Sequence, residues 1–371
     1  MGNSNCKRRG RRKFIKKSTF IAGSLLMAHG VSAVPGCSTP RKKEILGVAL
    51  VGLGYYSTDL LAPALQQTKH CKLTGIVTGS PNKIPVWQQK YGIPDKNVYN
   101  YQNMDAVADN PDIDVLYVVL PTSMHSEYTI RAANAGKHAW CEKPMAMTAA
   151  ECTAMIKACQ DNKVKLSIGY RMQHEPNTQT LITWSKTKPY GNIAEVTARA
   201  GYYDGRHDHW KQQKAMGGGA MYDMGVYPLN AARYSTGEEP IAVTARHETN
   251  RPEIYHEVDE TTYFSLEFPS GATANCVTSL GMGMNELRVE CEKGWYELSP
   301  FQSYSGIRGK ASDGTLLNKA VPNQQARQMD NDALAIINDQ PVLVPGEEGR
   351  RDIRVVEAIY RSAAQQKRVE L

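Results

Sequence analysis

The residue types best suited to chemistry in this chain are a lysine, an aspartate and a tyrosine. Lys143 ends the run Cys141-Glu142-Lys143-Pro144, and His138 to Cys141 before it reads as a buried strand. Proline forces the residue ahead of it into extended geometry, so Lys143 stops at the strand terminus and does not enter a helix. In an open parallel sheet that terminus faces the ligand crevice. Asp223 and Tyr227 lie four residues apart, just after Gly217-Gly218-Gly219. On a helix this spacing brings a carboxylate and a phenol to one face, over a ligand. Taken singly, the first motif reads equally as a surface Glu-Lys pair before a turn, and the second as a packing pair. Their surroundings must decide.

Residues 45–168 alternate strand and helix patterns. Ile45 to Val51 is a continuous apolar run, suited to a central parallel strand. Further strands fall at Cys71 to Thr78, Val115 to Leu120, His138 to Cys141 and Lys165 to Ile168. Helical stretches at Asp59 to Thr68, Ser123 to Ala135 and Ala149 to Asn162 separate them. The pattern is that of a doubly wound α/β sheet. After the first strand comes Gly52-Leu53-Gly54-Tyr55-Tyr56-Ser57, a G-x-G-x-x-S form of the dinucleotide fingerprint. Gly52 permits the tight turn, Gly54 lets the backbone approach a pyrophosphate, and the next helix offers its N–H groups. Tyr55 and Tyr56 fall within that turn.

The end of the second strand decides between cofactors. NAD-specific sites place an acid there for the ribose hydroxyls, whereas this chain has Thr78, Ser80 and Lys83. Hydroxyls and a cation suit a 2′-phosphate, which favours NADP(H). Leu120-Pro121 ends another strand and belongs under the nicotinamide side of the crevice, with His125 close behind. That histidine reads either as a ligand contact or as a helix-start residue held by local hydrogen bonds.

From Gly169 onwards longer alternating runs appear, at Ile193 to Tyr203, Ile241 to His247, Thr261 to Phe268, Ala272 to Leu280 and Asn285 to Glu290. They predict a second α/β domain with a mostly antiparallel sheet having one solvated face. The expected division is a Rossmann-type domain over 45–168, a substrate and oligomerisation domain over 169–345, and a C-terminal helix over 346–371 packing back on the body. Eight cysteines are scattered without CxxC or Cys/His metal spacing, which predicts buried free thiols and no metal site.

The formal charge of +7 sits at one end. Residues 1–33 hold eight cations and no acid, so the remainder carries −1 and gives no electrostatic reason to expect nucleic acid. Those residues read as an export signal, with a basic start, an apolar Gly-rich stretch from Phe20 to Val34 that is too short to span a membrane, and Val31-Ser32-Ala33 as cleavage site. Arg11-Arg12-Lys13-Phe14 resembles a twin-arginine motif and implies a periplasmic protein. Cys37 offers an alternative end, as the acylated first residue of a lipoprotein, and residues 34–44 form an arm.

With Gly52-x-Gly54, Glu142-Lys143-Pro144 and Asp223-x-Gly225-x-Tyr227 together, the chain resembles the Gfo/Idh/MocA oxidoreductase family over nearly all of its exported part. Gly169-Tyr170-Arg171, Gly237-Glu238-Glu239-Pro240 and Pro345-Gly346-Glu347-Glu348-Gly349 look like its periplasmic glucose–fructose oxidoreductase subgroup. The resemblance implies a Rossmann domain, a second domain whose open sheet often forms homo-oligomers, and a sugar bound between them. It implies that Lys143 hydrogen-bonds the reacting oxygen, Asp223 orients Lys143, and Tyr227 carries the proton, where most relatives have histidine. An ammonium near that phenol favours its anion. Glu142, Lys143 and Arg171 join the glycine turn as expected cofactor contacts, and Trp210 with Lys211 lines the expected sugar site. The stretch Tyr203 to Trp210 departs from the relatives' pattern, which leaves the sugar open. An exported enzyme must also carry its NADP(H) with it, so tight binding is expected. Two other readings remain, a redox-assisted glycosidase or keto-sugar enzyme, and a sugar-sensing binding protein without turnover.

Overall fold

The computed structural model describes residues 43–371. The leader, Cys37 and most of the arm lie outside them. In the first half, β1 (Leu46–Val51) is buried at every position, as its apolar run requires. The chain then passes through a π-helical turn, Tyr56–Leu61, into α1 (Ala62–Leu65), β2 (Cys71–Val77), α2 (Ile84–Tyr91) and β3 (Val98–Tyr99). Next come β4 (Val115–Val118), α3 (Thr122–Asn134), β5 (His138–Cys141), α4 (Ala149–Asp161) and β6 (Leu166–Ile168). Thr148 and Glu151 form a reciprocal capping box at the start of α4. All pairs in this sheet are parallel, in the order β3-β2-β1-β4-β5-β6. The order reverses between β1 and β4, so the crevice opens beyond their carboxyl ends.

The second half holds α5 (Pro176–Thr187), β7 (Ile193–Tyr203), α6 (Val226–Thr236), β8 (Ala242–Glu248), β9 (Thr261–Glu267), β10 (Thr273–Ser279) and β11 (Gly281–Cys291). It continues with β12 (Gly294–Leu298), β13 (Gly309–Ala311), β14 (Leu316–Leu317), α7 (Gln324–Ile337), α8 (Gly346–Gln365) and β15 (Val369–Glu370). The nine strands run in the order β14-β13-β12-β11-β7-β10-β9-β8-β15. Every neighbouring pair is antiparallel except β7 and β10.

Three features depart from the sequence pattern. The segment read as a helix from Asp59 starts three residues earlier, as a π turn. The strands β3 and β12–β15 are too short or too irregular to show an alternation. Helix α7, within the stretch expected to serve the second domain, packs Ala326, Met329 and Ala333 into the core beneath β1, β2 and the glycine turn. Helix α8 joins a larger core that runs without a break from Val51 and Val118 of the first sheet to Val196 and Leu266 of the second. The two sheets therefore share apolar packing. Cys71, Cys141, Cys152, Cys159 and Cys276 are free and buried, and Cys291 is free and half-buried.

Candidate active site

One cavity of about 970 Å³ runs from the glycine turn after β1 to the start of α6. Every residue expected from sequence to bind cofactor or sugar borders it. At the cofactor end Gly52 adopts φ +95°, where a Cβ would stand 2.5 Å from the Val119 carbonyl oxygen. Only glycine fits there. A Cβ on Gly54 would meet no protein atom within 4 Å, so that face of the backbone stays open to a ligand. Ser57, in the third fingerprint position, is fully buried and donates to the Gly52 carbonyl at 2.6 Å, closing the turn from inside. The Thr78 hydroxyl accepts from the Ser80 N–H at 3.0 Å, and Lys83 Nζ donates to the Leu53 carbonyl at 2.6 Å. Tyr101 lies beneath Gly79, whose Cβ would stand 2.8 Å from its ring. Among the described residues the only acids lining the cavity are Glu142 and Asp223, and neither comes from the end of β2.

In the middle of the cleft, Glu142 is buried, accepts from the Tyr117 hydroxyl at 2.6 Å and accepts from the Lys143 N–H at 3.2 Å. Burial pushes its carboxyl up, against the pull of the Tyr117 hydrogen bond and the Lys143 charge. Gly169 gives this carboxylate its room, since a Cβ there would lie 2.6 Å from Oε1. His125 is buried, with Nδ1 2.8 Å from the Pro144 carbonyl oxygen and Nε2 2.8 Å from that of Leu120. It ties the loop after β4, with Pro121, to the loop after β5, which is the local-hydrogen-bond reading. Burial, the largest influence, lowers its pKa, against the pull of the two carbonyl oxygens. Arg171 is likewise anchored in protein, donating to the Ser303 carbonyl at 2.7 Å and to Gln324 Oε1 at 2.5 Å. Its guanidinium lies 4.8 Å from the Tyr304 ring centre and 5.8 Å from that of Tyr227.

The sugar end is built on the π turn Met221–Gly225, which runs into α6. Such turns recur at functional sites because the extra residue re-aims side chains. Asp259 fixes its start, with Oδ2 accepting from the Met221 N–H at 2.8 Å and its backbone carbonyl accepting from the Ala220 N–H at 2.9 Å. Asp223 and Tyr227 both face the cavity, as the four-residue spacing predicts, although the first sits in the π turn and the second in α6. Lys143 Nζ donates to the backbone carbonyl of Asp223 at 2.6 Å, stands 4.0 Å from its Oδ1, and lies over the Tyr227 ring, 4.7 Å from the centre. The lysine is thus oriented by the carbonyl, and it meets the ring face of the tyrosine in a cation–π contact. Asp223 Oδ2 accepts from Lys211 Nζ and from the Tyr202 hydroxyl, both at 2.8 Å. Burial alone would raise the Asp223 carboxyl. The charge of Lys211, then that of Lys143, and the hydrogen bonds lower it to about 2.

Trp210 lines the cavity beside Arg206 and His209. In the stretch that departs from the relatives' pattern, buried Asp204 holds Arg206 through 2.8 and 2.6 Å contacts. Sequence reasoning missed Tyr101, Tyr202, Arg206, His209 and Tyr304 as lining residues. Tyr202 carried a signal, since it lies at the end of the alternating β7 run. Tyr101 and Tyr304 follow a two-residue strand and an irregular loop, where no periodicity points to them.

A family model described as "Oxidoreductase family, NAD-binding Rossmann fold" matches residues 46–170, and one described as "GFO/IDH/MocA C-terminal domain" matches residues 178–297. The solved structure of aldose-aldose oxidoreductase from Caulobacter crescentus, complexed with glycerol, is 41% identical with a TM-score of 0.85, covering 88% of this chain and 99% of that one. D-xylose 1-dehydrogenase (NADP(+)) of Haloarcula marismortui is 26% identical over 339 residues, 87% of this chain and 92% of its own length. D-glucoside 3-dehydrogenase of Escherichia coli is 26% identical over 353 residues, 88% and 97% of the two chains.

Proposed function

The chain belongs to the GFO/IDH/MocA oxidoreductase family, as an NADP(H)-dependent enzyme acting on CH-OH groups of sugars, and we propose that it moves hydride from C1 of one aldose to a second sugar without releasing its nucleotide. The observation that carries this reading is the convergence of Lys143, Asp223 and Tyr227 on one cavity with the open backbone of Gly54. A bound nicotinamide supplies the hydride acceptor and donor.

The chain's own residues do the rest. The Gly52–Gly54 turn and the helix N–H groups behind it would hold a pyrophosphate, and Thr78, Ser80 and Lys83, with no carboxylate among them, would hold a 2′-phosphate. Lys143 has three N–H donors. One is committed to the Asp223 carbonyl, and the remainder are available to the oxygen of the reacting sugar. Tyr227 takes the hydroxyl proton as the carbonyl forms and returns it when the second sugar is reduced. Trp210 offers an amphipathic ring to the sugar face.

The motif Arg11-Arg12-Lys13-Phe14 supports export of the already folded protein by the twin-arginine route, and an enzyme in the periplasm, with no free NADP(H) to draw on, would keep its nucleotide. Homo-oligomers formed through the open face of the nine-stranded sheet complete the proposal, with acylation at Cys37 as the alternative to cleavage after Ala33. Dialysed protein is expected to gain near-ultraviolet nicotinamide absorbance with one aldose and to lose it with a second. Protein that turns over only with added NADP overturns the closed cycle. Similarity to a D-glucoside 3-dehydrogenase supports a second reading, oxidation at C3. A keto-sugar among the products, where a lactone is expected, selects it.

A further inference from the structure

We propose that Lys211 is a positioning residue, and that its ammonium, not that of Lys143, is the counter-ion that fixes the Asp223 carboxylate and leaves the Lys143 amine for the reacting sugar oxygen. The inference rests on the reading of the cleft as a sugar oxidoreductase site.

Asp223 is divided between two lysines. Lys143 holds its backbone carbonyl at 2.6 Å, a neutral acceptor. Lys211 holds carboxylate Oδ2 at 2.8 Å, whereas Lys143 is 4.0 Å from Oδ1. Attraction between charges falls with distance, and a charge-assisted hydrogen bond adds to it only at the shorter contact. Tyr202 closes a triangle, donating to the same Oδ2 at 2.8 Å and accepting from Lys211 Nζ at 3.2 Å. Burial and the Asp223 charge raise its pKa, so Tyr202 stays a phenol and a donor.

The backbone independently fixes Lys211 against the π turn. Its carbonyl accepts from the Gly219 N–H at 2.8 Å, and a Cβ on Gly218 would lie 2.3 Å from that carbonyl oxygen. The glycine run is therefore small where the Lys211 turn presses against it. The other charged or titratable groups that act on Asp223 are Arg206 and His209, from the loop after β7. Arg206 is itself neutralised by Asp204 at 2.6 Å. Without Lys211, Lys143 becomes the nearest cation to the carboxylate and is drawn away from the substrate.

The test uses full-length enzyme with aspartate carboxyls labelled by carbon-13, the Asp223 resonance being identified by its loss in Asp223→Asn. In Lys211→Met its titration midpoint should rise by roughly one to three pH units. The single-turnover rate should fall by about tenfold or more while the sugar KM changes less, and Lys211→Arg should restore both. A midpoint that stays in place in Lys211→Met but moves in Lys143→Met overturns the assignment. If Lys211→Met does not fold, Lys211→Gln takes its place. Because the titration needs no turnover, it decides the role of Lys211 even where wild-type enzyme oxidises no aldose, and that second result would count against the proposed function alone.

Discussion

Asp223 in the cleft and Asp332 in the core are both largely withdrawn from solvent, and the fold treats them in opposite ways. In the cleft, Asp223 meets two ammonium groups and a phenol, and its carboxyl falls to about 2. In the seam between α7 and β6, both carboxyl oxygens of Asp332 are fully buried, with only the uncharged side chains of Ser167 and Gln328 acting on them. Burial raises that carboxyl to about 7. Desolvation acts on both acids, so the difference lies in the neighbours. A buried carboxylate stays charged where cations and hydrogen-bond donors together offset its lost hydration. The cleft supplies Lys211 and Lys143, while the seam offers uncharged groups.

The largest break in this comparison should come from the cleft. Lys143→Met removes the amine shared by Asp223, Tyr227 and the substrate, and single-turnover hydride transfer should fall by about 10²–10³-fold, with little change in melting temperature. An unchanged rate would take the lysine out of the chemistry. Asp223→Asn sharpens the point, because it keeps the backbone carbonyl that holds Lys143 and removes only the charge facing Lys211. A smaller loss is expected, about 10–100-fold in kcat/KM, measured by steady-state kinetics.

The seam should respond in stability and not in rate. Its folded carboxyl lies above the value of an exposed aspartate, so the native state incurs no cost below about pH 4 and a growing one as pH rises to 7. Wild-type protein should therefore lose stability across that window. Asp332→Asn should be about 2–4 kcal/mol more stable than wild type at pH 8 and equal to it near pH 4, as denaturant melts at the two pH values can show. A variant gain that is the same at both pH values would mean that Asp332 does not titrate. The smallest effect is expected at Gly54, where an added methyl meets no protein. Gly54→Ala should leave stability within about 0.5 kcal/mol yet weaken NADP(H) retention by roughly tenfold, as read by isothermal titration.

The same contrast explains which features were legible in sequence. Gly52, Gly54, Lys143, Asp223 and Tyr227 announce themselves because local rules bind them, through a turn, a strand end and a helical spacing. The first sheet was readable for a similar reason, since β1, β4 and β5 are fully or almost fully buried apolar runs. Partners brought together over long separations were not. Lys211, which donates to the Asp223 carboxylate, lies twelve residues earlier, and the sequence reading paired Asp223 with Lys143 alone. The Asp332 seam forms only because α7 returns to the first sheet, which no local pattern indicates. Cys71, Cys141 and Cys276, in strand-like runs, and Cys152 and Cys159, seven apart on one helix, are free and buried.

The most direct measurement is rapid mixing of the purified protein with an aldose carrying deuterium at C1, following nicotinamide absorbance in wild type and Lys143→Met. The account predicts reduction without added nucleotide, slowed by the deuterium in wild type and nearly abolished in the variant. A wild-type signal insensitive to C1 deuterium, or a variant as fast as wild type, would contradict it.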